Sequence, residues 1–216
     1  MAAIKTPQPV TGPLALLESL GELREALNDC RRCELWRHAT QGVPGEGPPH
    51  ARLMLVGEQP GDAEDAAGHP FVGPAGAMLD RGLDEAGIER SSVFVSNAVK
   101  HFKFEQRGKR RLHAKPSIAE IKACNVWLLE ELRLVQPQLV IALGASAARG
   151  VLGRAVTISA TRGRAIPLPQ GPHAWITIHP SFLLRIEDEA QRHTEYQRFV
   201  RELAQADSWA RGAGRP

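Results

Sequence analysis

Residues 53–62, LMLVGEQPGD, set the frame for the rest of the chain. Four consecutive apolar residues suit a strand covered on both faces, the pattern of a buried parallel sheet. Gly57, Pro60 and Gly61 then force a tight turn whose backbone amides can receive a carbonyl or a phosphate. Glu58 is placed at the mouth of the sheet. Taken alone, the turn is explained equally well as an ordinary strand-to-helix loop.

Outward from there, apolar runs at 93–95, 139–143 and 175–178 repeat the strand signal. Helical segments are expected between them, near 75–87, 118–133 and 145–152. Ser117 followed by Glu120 is a capping box for the second of these. Leu16, Leu20, Leu23 and Leu27 recur at the helical period and end just before Cys30. Tyr196, Phe199, Val200 and Leu203 mark a last amphipathic helix. Alternating strands and helices predict an α/β single domain over 14–207, with a central four-stranded parallel sheet flanked by helices. Residues 1–13, with Pro7, Pro9 and Pro13, are expected as a loose leader and 208–216 as a flexible tail.

The 216 residues are 43% hydrophobic, enough for a sizeable core, and carry a net charge of only +3. No apolar run approaches the ~18 residues of a membrane span. The N-terminus lacks the basic, apolar and small-residue succession of a secretion signal. A cytoplasmic monomer is the expectation. Three cysteines, Cys30, Cys33 and Cys124, do not make a disulfide framework in a reducing compartment. The Cys30-x-x-Cys33 spacing suits two thiolates on one metal centre.

In parallel sheets, ligands sit beyond the carboxyl ends of the strands, and the unusual residues cluster there. After the second strand comes NAVKHFKFEQRGKRRLHAK, residues 97–115. From Lys100 to Lys115 it sets Lys100, Lys103, Arg107, Lys109, Arg110, Arg111 and Lys115 against one acid, Glu105. Such a loop favours a polyanion, because each cation near a phosphate releases counterions. Its imidazoles, His101 and His113, can also ligate a metal or attack carbon. Asn97 offers a donor and an acceptor together, as a base edge with a carbonyl beside an N–H requires. HPFVGPAG, residues 69–76, places Phe71 among loop formers, either as a core plug or as a stacking platform. His179-Pro180-Ser181 follows the fourth strand directly. Gly144-Ala145-Ser146 opens a helix whose free N–H groups suit a phosphate, although a plain N-cap is the simpler role for Ser146.

The order GEQPG (57–61), HPFVGPAG (69–76), NAVKH (97–101) and HPS (179–181) resembles the iron–sulfur branch of the uracil-DNA glycosylase superfamily, over residues 20–205. Ordinary four-cysteine members have a cysteine where this chain has His101. That substitution, the GEQPG form of the turn and KRRxH at 109–113 resemble the UdgX group, which forms a covalent adduct with uracil-containing DNA. The resemblance implies a [4Fe–4S] cluster on Cys30, Cys33, His101 and Cys124. Ligand types alone equally allow a Cys3His zinc site, and Cys124 on the stripe with Ile121, Leu128 and Leu132 suits a plain core cysteine. The resemblance further implies uracil stacked on Phe71, read by Asn97 and held by amides around Gln59, with His179 at O2. Glu58 and Asp62 would act near the sugar, with His113 attacking C1′. Lys109, Arg110, Arg111, Ser146 and Ser181 would hold DNA, single-stranded in preference because its bases need no unpairing. Two alternatives stand beside this reading: a conventional multiple-turnover glycosylase, and a metal-stabilised single-strand-binding module stacking bases on Phe102 and Phe104.

Overall fold

The four apolar runs form four parallel strands in a computed structural model that describes residues 16–169 and 171–212. The leader 1–13 lies outside the described residues. The strands are β1 (Leu53–Gly57), β2 (Phe94–Asn97), β5 (Leu139–Leu143) and β7 (His173–Thr177). Their order is β2-β1-β5-β7. The sheet is five-stranded rather than four-stranded, because β6 (Ala165–Pro167) adds an antiparallel edge against β7. Three residues ending in proline carry no visible alternation, and proline is tolerated there because an edge strand leaves one side unpaired.

Successive residues of the central strands face opposite layers. Leu55, Ile141 and Trp175 pack with Leu79 and Leu83 of α3 (Pro74–Glu85) and with Phe199 and Leu203 of α8 (Glu189–Gly212). Met54, Val56, Val140 and Ala142 pack with Leu128 of α4 (Ile118–Val135) and Ala147 of α5 (Ala145–Leu152). A third cluster joins Leu23 and Leu27 of α1 (Leu20–Asn28) to Cys30, Cys124 and Trp127. Ser19 caps α1 by accepting from Glu22 N–H at 3.1 Å, so Leu16 falls outside the helix and is 82% exposed. The Ser117–Glu120 box forms at the start of α4 as expected. Helix α8 runs five residues into the stretch expected as a tail. Ala206 and Ala210 continue the buried stripe of Leu203, as small side chains that the hydrophobic spacing did not reveal.

The basic segment is a hairpin rather than a loop. β3 (Phe104–Arg107) and β4 (Arg110–His113) pair antiparallel around a turn in which Gly108 takes φ +59°. Its dense charge hides the alternation by which a half-buried strand is recognised. Among the described residues, no helix is long and apolar enough to cross a membrane.

Candidate active site

The ends of β1, β2, β5 and β7 deliver Glu58, Asn97, Gly144 and His179 to one edge of the sheet. There they line a cavity of about 1240 Å³ with Phe71 and His113. Gly57 makes this convergence possible. A Cβ there would lie 2.4 Å from Asn97 Oδ1 and 2.7 Å from Phe71 Cζ. Phe71 has φ +59°, an uncommon backbone for a large side chain. Gly76 permits it, since a Cβ at that position would meet the Phe71 carbonyl oxygen at 1.8 Å. Phe71 and His179 stack with ring centroids 6.2 Å apart and planes inclined by 27°. Asn97 is 3% exposed, and its side-chain amide has no hydrogen-bond partner among the described residues. It is thus available to a ligand.

His179 is held in one protonation state. Ser181 N–H donates to Nδ1 at 3.2 Å, and Ser181 Oγ lies 2.8 Å from the same nitrogen. Burial lowers the imidazole pKa to about 4, against a smaller upward pull from Glu58. The ring is therefore neutral near pH 7, with its proton on Nε2. Glu58 contacts His113 Nε2 through Oε1 at 3.3 Å. Burial by itself would raise the Glu58 carboxyl. The His113 contact, the adjacent Ser146 hydroxyl and the charges of His113 and His179 outweigh it and hold the group below the ordinary carboxylate value. Ser146 Oγ is buried and makes no well-formed hydrogen bond. It belongs to the Glu58 environment rather than to a phosphate site open to solvent.

His113 owes its place to tethers at the base of the hairpin. The Gln59 side chain donates from Nε2 to Lys103 O (3.0 Å) and Ala114 O (3.1 Å), and its Oε1 accepts from Lys103 N–H (3.2 Å). It thus grips both feet of the hairpin. Only its backbone N–H, which has no partner among the described residues, is free to meet a uracil carbonyl. Arg111, expected on DNA, is half-buried and pairs with Asp62 and Asp65, at 2.5 Å each. Its guanidinium also covers Phe102 and Phe104, 5.4 Å and 5.2 Å from the ring centroids. This places Arg111 as an anchor, and Asp62 as its partner. Asp65 is fully buried and also accepts from Thr40 N–H and Oγ1. Ser181 backs His179 and accepts from Arg185. Of the five residues expected on DNA, Lys109 and Arg110 are exposed on the hairpin, without an ion pair among the described residues.

Sequence reading missed Glu64. From α2 (Asp62–Ala67) its two oxygens accept from Gly61 N–H (3.0 Å) and Gly73 N–H (2.9 Å). It joins the turn after β1 to the loop carrying Phe71 and takes up the Gly61 amide that a uracil carbonyl was expected to use. An acid three residues into a helix opened by glycine was the available signal. The Lys100–Glu131 pair was missed as well.

The three cysteines lie together, close enough for Cys30 and Cys33 to add to the upward shift of the Cys124 thiol, which burial drives to about 12. Trp127 Nε1 donates to Cys30 Sγ (3.2 Å), and Lys100 N–H to Cys124 Sγ (3.1 Å). The second bond brings the backbone just before His101 to Cys124. Burial depresses the His101 pKa to about 4, leaving the neutral ring that ligation needs. Among the described residues, no three His, Cys, Asp or Glu side chains converge as a single-ion site. Thiolate and imidazole are donor types that an iron–sulfur cluster takes, and a Cys3His zinc site as well.

A three-layer fold with a parallel sheet, and a cavity at its carboxyl edge lined by Glu58, Phe71, Asn97 and His179, meets its match in one family. The model of the uracil DNA glycosylase superfamily covers residues 44–204, and the chain belongs to that superfamily. Within it, the chain is similar to proteins named type-4 uracil-DNA glycosylase. The one from Thermotoga maritima is 36% identical over 192 residues, which is 88% of this chain and 94% of the relative. The one from Pyrobaculum aerophilum is 34% identical, over 77% of this chain and 85% of the relative. A third, from Sulfurisphaera tokodaii, is 39% identical over 59% of this chain and 56% of the relative.

Proposed function

We propose that the protein excises uracil from DNA and captures the deoxyribose C1′ on His113. The observation that carries this reading is the 3.3 Å approach of His113 Nε2 to Glu58 Oε1, beside a cavity already holding Phe71, Asn97 and His179. Uracil flipped from the strand stacks on Phe71. Asn97 accepts from its N3–H and donates to O4, a pattern that cytosine presents in reverse. His179 Nε2–H and the Gln59 N–H meet the carbonyl oxygens. As the N1–C1′ bond breaks, its electron pair leaves with uracil, and these neutral donors meet charge that develops only then. A lone pair on the His113 imidazole forms the new bond to C1′. The ring then sheds its remaining N–H proton to Glu58 or solvent, and the uracil anion takes a proton from solvent. Before capture, ionised Glu58 stabilises the positive sugar.

In the conventional alternative, water attacks C1′, and the relatives' names favour this reading as far as excision goes. The GEQPG and KRRxH forms, with an imidazole already beside Glu58, favour capture. The binding-module reading is weakened because Phe102 is 2% exposed and lies under Arg111, leaving no open face for a base. Cys30, Cys33, Cys124 and His101 would hold a [4Fe–4S] cluster. When bound, it would supply a rigid cross-link between the cysteine loop, α4 and the segment leading into the hairpin. Single-stranded DNA is the proposed substrate form, met by Lys109 and Arg110.

The test is a denaturing gel of protein mixed with a uracil-containing single strand. A denaturant-resistant band is expected. A strand cleaved by alkali without that band supports the conventional enzyme, and neither result leaves a binder. Metal analysis of anaerobically purified protein should find iron and sulfide. Zinc without iron overturns the cluster.

A further inference from the structure

Lys100 and Glu131 form an ion pair at 2.7 Å with both side chains fully buried, at 0% exposure. The ammonium is satisfied by Ser96 Oγ (2.6 Å), Asn97 O (2.9 Å) and Glu131 Oε2 (2.7 Å). The carboxylate in turn accepts from Ser96 Oγ–H (2.6 Å) and Gly45 N–H (2.8 Å). Burying two charges costs about as much as their attraction returns, so such a pair is weak evidence for stability. Its position suggests another use. It grips the peptide of Asn97, whose side-chain amide has no partner among the described residues to aim it. An amide without its own restraint takes its direction from its backbone and from the glycine surface at Gly57. Ala98 N–H and Val99 N–H bond to Gly57 O (2.9 Å) and Glu58 O (3.0 Å), tying the same stretch to the turn after β1.

We infer that the Lys100–Glu131 pair is a positioning device that aims Asn97 at the base edge, and thereby sets recognition of uracil. The inference rests on the uracil-excision reading. The pair touches no substrate atom; it acts through the Asn97 carbonyl. The bond from Lys100 to Cys124 Sγ comes from the backbone N–H and survives side-chain replacement; the ammonium charge also pulls the Cys124 thiol downward, so metal content is the control for the cysteine site.

Lys100→Met/Glu131→Met replaces the pair with apolar side chains of similar length. The variant should fold with a thermal midpoint near that of the wild type and keep its metal content. Its single-turnover rate of uracil release from single-stranded DNA should fall roughly tenfold to a hundredfold, the scale of an ångström of misplacement. Its binding of free uracil should weaken in step. In an Asn97→Ala background, the same double replacement should cost little more, since residues acting through one another are not additive. Wild-type excision and uracil binding in the Met pair, or full additivity with Asn97→Ala, would overturn the inference. If the Met pair does not fold, Lys100→Leu/Glu131→Leu carries the same comparison. Neither leucine can donate to Asn97 O. Absence of uracil release by the wild-type protein would instead overturn the reading on which the inference rests.

Discussion

The base pocket and the hairpin are built on opposite principles. Glu58, Asn97 and His179 stand at the ends of buried parallel strands, where the sheet's own hydrogen bonds set their spacing. His113 ends a two-stranded ribbon that pairs with no other strand among the described residues, and its side chain is half exposed. An isolated hairpin is marginal in water, so this one depends on side-chain tethers: Gln59 at its feet, Arg111 to Asp62 and Asp65, and Lys103 to Glu120 at 2.9 Å. On the proposed reading, base recognition and sugar capture would be mechanically separate. Substitutions in the sheet should strike excision, and those in the hairpin should strike capture.

The largest effect would come from His113→Ser, which should abolish the denaturant-resistant band while leaving DNA binding nearly intact through Lys109 and Arg110. Uracil should still be released, with water reaching C1′ instead. Persistence of the band, or peptide mapping of the wild-type adduct to another residue, would break the comparison at its centre. Asn97→Ala should come next. Losing two base-edge hydrogen bonds should slow uracil release about a hundredfold in both wild-type and His113→Ser backgrounds. An effect confined to the covalent step would mean that pocket and hairpin are not separate.

Gln59→Ala sharpens the comparison from the other side, because it frees the hairpin's feet and keeps the backbone amide. Adduct formation, followed by gel against time, should slow about tenfold. Uracil release in the His113→Ser background should barely change, and equal losses in both steps would assign the Gln59 side chain to the pocket.

The smallest effect concerns pH. His179 titrates near pH 4 in the folded protein, below the ordinary histidine value of about 6.5. A depressed imidazole contributes stability that is fully present above the unfolded pKa and is lost as pH falls toward the folded one. The thermal midpoint should therefore decline between about pH 6.5 and pH 4. Uracil release by His113→Ser should keep its rate to near pH 4, as His179 stays a neutral donor. An acid limb at the ordinary histidine pKa would show that the pocket is more open than its burial implies.

The sequence by itself determined the four parallel strands, the capping of α4 and the turn after β1, because each is written in neighbouring residues by apolar runs, a Ser–Glu spacing, or glycine and proline. It also placed Glu58, Asn97 and His179 at one edge, since strand ends in a parallel sheet share that edge. Only the tertiary structure decided what distant side chains do to one another. It turned Arg111 from a phosphate contact into an anchor, made Gln59 a staple across 44 and 55 residues of chain, and seated Lys100 on Glu131. It also found β6, too short to show a period, and the hairpin, whose charges conceal one. Local pattern records which face of an element is buried, whereas the partner of a buried charge is chosen by whichever acid the packed layers bring within reach.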